Sequence, residues 1–128
     1  MDPKRLEGIP LFAALGKKER KELSQAMDEL VLPEGDHLVD EGKLAHEFFV
    51  IEEGTAAVTK DGEHIADLGP GDFFGEMALM SEERRNATVT AKSQMRVIVM
   101  HAKDFRRITE DMPHVAEQIK AAIAERSG

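Results

Sequence analysis

Phe48-Phe49-Val50-Ile51-Glu52-Glu53-Gly54-Thr55-Ala56-Ala57-Val58-Thr59-Lys60-Asp61-Gly62-Glu63-His64-Ile65-Ala66 is the stretch on which the fold turns. Phe48 to Ile51 is an apolar run of aromatic and β-branched residues, closed by the polar turn Glu52-Glu53-Gly54, and reads as a strand. Ala57-Val58-Thr59 and His64-Ile65-Ala66 flank Asp61-Gly62. An Asp-Gly pair supports the positive φ angles of a tight turn, so this part reads as a hairpin. The same texture extends outward over residues 31–101, where short apolar runs alternate with Gly35, Gly42, Gly54 and Gly69-Pro70-Gly71. Ala87 to Ala91 and Arg96 to Met100 are two more strand candidates. Short strands separated by glycine turns imply a sandwich or barrel.

Helical spacing takes over on both sides. In residues 1–30, Leu11, Phe12 and Leu15 lie on one face, and Gly16 interrupts. Lys17 to Leu30 then places Leu23, Ala26, Met27 and Leu30 on one stripe, with Glu19 three residues after Gly16 as a weak helix start, and Pro33 ends the region. In residues 102–128, Phe105 and Ile108 precede a break at Met112-Pro113. Val115, Ala116, Ile119, Ala122 and Ile123 follow as one stripe on a final helix. The expected order is helix, β-barrel, helix, in a single domain over residues 1–128.

Composition narrows the function classes. The chain has 128 residues with 17 Lys+Arg against 25 Asp+Glu, a formal charge of −8, which argues against a surface that holds nucleic acid. It has no cysteine, which excludes disulfides, thiol nucleophiles and Cys-ligated metals. A bilayer span needs roughly 20 apolar residues, and no stretch approaches that. Asp2, Pro3, Lys4, Arg5 and Glu7 do not resemble a signal peptide, so a cytoplasmic location is expected. His37, His46, His64, His101 and His114 are scattered, without the His-x-His spacing of metal-binding cupins, and no metal site or catalytic residue is expected. The seven methionines read as core fillers.

The chemistry sits in Gly69-Pro70-Gly71-Asp72-Phe73-Phe74-Gly75-Glu76-Met77-Ala78-Leu79-Met80-Ser81-Glu82-Glu83-Arg84-Arg85-Asn86-Ala87-Thr88-Val89-Thr90-Ala91. Gly69 to Asp72 reads as a turn. Gly75 separates a buried-looking Phe73-Phe74 pair from the helix formers Glu76 to Met80, and a glycine there permits close approach to the backbone. The first amides of a short helix lack internal partners and favour an anion. Arg85 follows Glu76 by nine residues, just before a strand. A guanidinium pointing into a barrel is costly without an anion, and phosphate offers a matching fork of oxygens. A carboxylate accepts hydrogen bonds from sugar hydroxyls, so Glu76, Arg85 and the amides together suit a sugar phosphate, a singly charged diester above all. Taken singly, Glu76 also reads as a helix-start carboxylate, and Arg85 as a surface partner of Glu82 or Glu83.

Phe74-Gly75-Glu76-Met77-Ala78-Leu79 followed by Arg85-Asn86-Ala87-Thr88-Val89 closely resembles the phosphate-binding cassette of cyclic-nucleotide-binding domains, found in cAMP receptor transcription factors, kinase regulatory subunits and nucleotide-gated channels. Pro33-x-Gly35-x-x-Leu38-x-x-x-Gly42 and Phe48-Phe49-Val50-Ile51-x-x-Gly54-x-x-x-Val58 resemble the family's glycine framework. The resemblance implies an antiparallel β-roll, a jelly-roll-like double-stranded β-helix, flanked by N- and C-terminal helices. It implies a cassette at residues 73–91 that includes Phe74 and Met77. It assigns the ribose 2′-hydroxyl to Glu76, the cyclic phosphate to Arg85, and backbone amides to Gly75 and Ala78. Val58, Ala66 and Leu68 stand where similar domains line the base and sugar. Asn86 and Ala87 follow the arginine; in the family a Thr at position 86 goes with cGMP, so its absence favours cAMP, while Asn86 can itself hydrogen-bond phosphate or base, which leaves the selectivity open. Arg84, beside Glu82 and Glu83, reads as a solvated neighbour. Arg126 on the last helix corresponds to residues that close the pocket over the base, and reads equally as a helix-end cation.

The function expected from this resemblance is non-enzymatic sensing of cAMP, with cGMP as the alternative ligand, coupled to movement of the C-terminal helix. A degenerate family member serving as an assembly module without nucleotide is a second reading, and a cupin-like metalloenzyme a third. Too few residues follow Ile108 for a helix-turn-helix, so the expected output is an effector protein, a homodimer or a further domain.

Overall fold

The computed structural model describes residues 2–44, 46–75 and 84–127, apart from the side chains of Pro10 and of residues 122–127. They fall into two units, a helical one (Met1–Asp28 with Met100–Gly128) and a β unit (Glu29–Val99).

The strands are β1 (Met27–Leu32), β2 (His37–Val39), β3 (Glu47–Glu53), β4 (Ala56–Lys60), β5 (Glu63–Leu68), β6 (Phe73–Phe74), β7 (Thr88–Ala91) and β8 (Met95–His101). They form two four-stranded sheets, ordered β1-β8-β3-β6 and β2-β7-β4-β5. From β2 onward each strand lies in the opposite sheet from its predecessor, except within the β4–β5 hairpin. That alternation is the β-roll expected from sequence. The hairpin turns through Asp61 and Gly62, both at positive φ (53° and 82°), as a two-residue turn between twisted strands requires. Its register shifts between Val58 and Thr59, leaving a bulge beside Val58.

Both sheets feed one core. Phe49, Ile51, Phe74, Val97 and Val99 come from the first, Ala56, Leu68, Val89 and Ala91 from the second, with Leu38, Val39 and Val58 half-buried at its margin. On β3 the run Phe48 to Ile51 is buried on both faces. Adjacent strand residues point to opposite faces, so each of the two phenylalanines needs its own partner. The Phe73-Phe74 pair supplies both: Phe49 stacks on Phe74 with centroids 4.8 Å apart, and Phe48 tilts against Phe73 at 5.8 Å. Each fully buried phenylalanine contributes about 1.5–3 kcal/mol. The two pairs therefore fix the β3–β6 register, Phe49 opposite Phe74 and Val50 opposite Phe73.

In the helical unit, α1 (Lys4–Glu7) packs on α2 (Pro10–Ala13) and α3 (Lys17–Gln25). The C-terminal helices α4 (Ala102–Asp111) and α5 (Pro113–Ser127) pack on each other, with α3 against α4 and α2 against α5. Leu11, Phe12, Leu15, Phe105, Ile108, Val115 and Ile119 are buried, as their spacing predicts. Gly16 is the extended residue ahead of α3 and Glu19 stands in its first turn. The His114 imidazole bonds the Glu19 carboxylate at 2.7 Å, tying α5 to α3 and holding the Glu19 carboxyl below its ordinary range.

One expectation is corrected. The helical stripe does not run to Leu30: α3 ends at Gln25, and Met27–Leu32 is strand β1. Only Met27 of β1 is buried, and Leu30 is 41% exposed. The Leu23–Met27 spacing belongs to a helix for one turn only. Pairing with β8 then gives the rest its backbone hydrogen bonds, and that partner lies some seventy residues away, outside any local pattern.

Gly54 sits at φ +91°, where a Cβ would meet the Gln94 carbonyl oxygen and come within 2.9 Å of the Met95 Cα. Gly54→Ala is therefore expected to destabilise the chain by about 1–3 kcal/mol from backbone strain alone, and more from the collision. Urea unfolding measures this directly; an unchanged midpoint would mean that β3 and the residues before β8 do not approach as closely as described.

Candidate functional site

Arg85 stands three residues before β7 begins at Thr88, and the turn at residues 40–43 holds its main chain. Its N–H donates to the Lys43 carbonyl at 2.7 Å, and its carbonyl accepts from the Gly42 N–H at 2.8 Å. Leu44 and Arg84 form an isolated antiparallel bridge beside them. The segment that carries Arg85 is thus stitched to the turn at residues 40–43.

Its half-buried side chain is anchored separately. Nη2 donates to the Glu47 main-chain oxygen at 2.6 Å. Gly75 lies directly over this contact at φ +81°. A Cβ there would stand 2.6 Å from Arg85 Nη1 and 2.7 Å from the Glu47 oxygen. Sequence alone marks Gly75 as a place where another molecule comes close to the backbone; in the fold the close neighbour is the Arg85 guanidinium itself. A side chain at position 75 would occupy the guanidinium's place, so the glycine is required by conformation and by space together.

The β3–β6 register explains why these groups meet. With Phe49 opposite Phe74, Gly75 falls opposite Phe48, next to the start of β3 where Glu47 stands. The stacked phenylalanines therefore set the site's geometry as well as filling the core.

The other predicted residues are placed as follows. Phe74 and Leu68 are buried in the core, and Val58 is half-buried against it. Val58 lies across from Ala66 on β5 and Val89 on β7. Asn86 is exposed and Ala87 half-buried. Arg84 is exposed and donates from Nη1 to the Gly42 carbonyl at 2.8 Å, so it supports the turn. The Gly69 N–H donates to the Asp72 carboxylate at 2.8 Å, closing the turn expected there. Glu76, Met77 and Ala78 lie outside the described residues, as does the Arg126 side chain.

Two participants escape a sequence reading. Glu47 acts through its carbonyl oxygen, which every residue type has. Glu41 accepts the Asp61 N–H through its side chain at 3.1 Å and donates its own N–H to Thr88 Oγ1 at 3.0 Å. A lone glutamate before a glycine carries no motif. Among the described residues, no group of three or more His, Cys, Asp or Glu can hold a metal. No described helix is long and apolar enough to cross a membrane.

Two four-stranded sheets with antiparallel pairing, helices before and after them in the sequence, and an arginine anchored beside a positive-φ glycine make up a β-roll domain. The sequence profile of the cyclic nucleotide-binding domain matches residues 29–112. The chain belongs to that family. It is 35% identical over 94% of its length to a cyclic nucleotide-gated potassium channel of Rhizobium etli, of which it covers 34%. It is 38% identical over 80% of its length to the cAMP-dependent protein kinase regulatory subunit of Yarrowia lipolytica, of which it covers 28%. The chain thus spans about a third of these curated relatives. The solved N-terminal domain of a transcriptional regulator from Streptomyces coelicolor superposes with a TM-score of 0.80 at 31% identity, over 98% of this chain and 92% of that one. The regulatory domain of Toxoplasma gondii PKA, crystallised with cAMP, superposes with a TM-score of 0.81 at 27% identity, over 96% and 48%. The family comprises regulatory binding domains, and the chain is a binding domain rather than an enzyme.

Gly75→Ala is expected to displace the Arg85 guanidinium from the Glu47 oxygen and to cost about 1–3 kcal/mol of stability through the forbidden φ. A crystal structure of the variant and its urea midpoint check both parts. An undisturbed Arg85 would remove the close approach from the site.

Proposed function

We propose that residues 1–128 act as one module that binds a cyclic nucleotide, cAMP in preference to cGMP. The observation that carries this reading is the Arg85 guanidinium, anchored by a neutral carbonyl beside Gly75. A planar guanidinium matches the oxygens of a phosphodiester. Membership of the family and the likeness to a domain crystallised with cAMP support the same ligand.

In this proposal Arg85 holds the cyclic phosphate and Glu76 the ribose 2′-hydroxyl. Gly75 and Ala78 supply amides, and Phe74 and Met77 complete the cassette. Val58, Ala66 and Leu68 bound the base and sugar, Asn86 and Ala87 follow the arginine, and the absence of Thr at position 86 favours cAMP. Ligand binding moves α5, bringing Arg126 over the base. A ligand shifts such an equilibrium only by its differential affinity for the two states. The output passes to an effector protein, to a second copy of the chain or to a further domain, in the cytoplasm and without nucleic acid.

Isothermal titration of the chain should give one cyclic nucleotide per chain, with cAMP tighter than cGMP and linear 5′-AMP much weaker. Arg85→Ala should lose about 3–5 kcal/mol of binding if it leaves a buried charge unpaired, and Arg84→Ala less than about 1 kcal/mol, as for one exposed hydrogen bond. Equal affinity for AMP would reject a diester site, and reversed arginine effects would reassign the phosphate ligand.

Removal of residues 120–128 should weaken cAMP binding while leaving the β-unit circular dichroism intact. Unchanged affinity would take α5 out of the coupling.

A further inference from the structure

Arg85 is only as well placed as the turn that holds its main chain. Gly42 and Lys43 provide both hydrogen bonds to the Arg85 backbone. The turn itself is tied to the second sheet by Glu41, in two directions. The Glu41 N–H donates to Thr88 Oγ1 at the first residue of β7, and Glu41 Oε1 accepts the N–H of Asp61 at the tip of the β4–β5 hairpin. Asp61 is the one non-glycine residue with positive φ among those described, so its amide direction is set by the turn and not by a ladder. Glu41 therefore joins three separate chain segments: the hairpin tip, the turn at 40–43 and the entry to β7. Arg85 lies between the second and the third.

We propose that Glu41 is a positioning residue for Arg85. It acts as a two-way strap that locks the 40–43 turn to β4–β5 and β7, and so sets where the guanidinium stands. The affinity part of this inference rests on the nucleotide-binding reading above; the positioning part does not. What the strap requires at position 41 is an acceptor oxygen at the end of a side chain of this length. Glutamine supplies one without charge, and alanine supplies none.

The test compares Glu41→Ala with Glu41→Gln in the full chain, by amide hydrogen exchange without ligand and by calorimetry with cAMP. Glu41→Ala should speed exchange at Gly42 and Arg85 and weaken cAMP binding about three- to tenfold, the loss of roughly one hydrogen bond. Glu41→Gln should restore both, with the thermal midpoint unmoved. Thr88→Val should reproduce the defect and Thr88→Ser should not, which keeps the test decisive if Glu41→Ala fails to fold. Unchanged exchange at Gly42 and Arg85 in Glu41→Ala overturns the strap, as does an equal loss in Glu41→Gln, which would make the charge and not the acceptor the cause. Failure of the parent chain to bind either cyclic nucleotide overturns the ligand instead, and the exchange result then still decides the positioning role.

Discussion

The site depends on one close contact, the Arg85 guanidinium against the Glu47 main-chain oxygen with Gly75 above both. A partly buried cation must have an acceptor, since desolvation without one costs several kcal/mol. The Glu47 carbonyl meets that need with its dipole and fixes one nitrogen of the guanidinium in place. The condition is space, and only a residue without a Cβ leaves it.

Everything upstream serves to bring those three residues together. Glu47 opens β3 and Gly75 follows β6, so their proximity is a matter of antiparallel register. A slip of one residue would turn every β6 side chain to the other face. Phe73 and Phe74 would then lose Phe48 and Phe49, which costs far more than a two-residue ladder of hydrogen bonds can offset. The aromatic pairs thus protect the polar contact through the geometry of the strands, although no ring touches the guanidinium in any described contact. Gly54 plays a parallel part at the other end of β3, where main chain passes main chain too closely for a side chain.

Legibility in the sequence followed the range of the interaction. The β4–β5 hairpin was readable because Asp61-Gly62 encodes its turn locally. The helical faces of Phe12 and Phe105 were readable because their period is local too. Strand β1 was not, since its strand state comes from β8 across most of the chain. Strands β2 and β6, at three and two residues, are too short to show any period. Within the site, Gly75 and Arg85 were legible through the residues around them. Glu47 was invisible because it works through an atom common to all residues. Glu41 was invisible because its partners are a main-chain amide and a threonine hydroxyl far along the chain.

A net charge of −8 repels an anion at long range, and screening limits how far that repulsion reaches. At physiological ionic strength exposed charges are screened within about 8 Å, so an acid farther than that from a bound ligand weighs little on it. The two scales act on different ligands. A polyanion such as a nucleic acid meets the outer field over its whole length and gains little from one guanidinium. A small monoanion feels the outer repulsion once, weakly, and then the local cation at contact distance, where attraction rises as the inverse of separation in a medium of lower dielectric. An acidic surface is thus a poorer host for a polyanion than for a ligand with one negative charge, which is the charge of a cyclic phosphodiester.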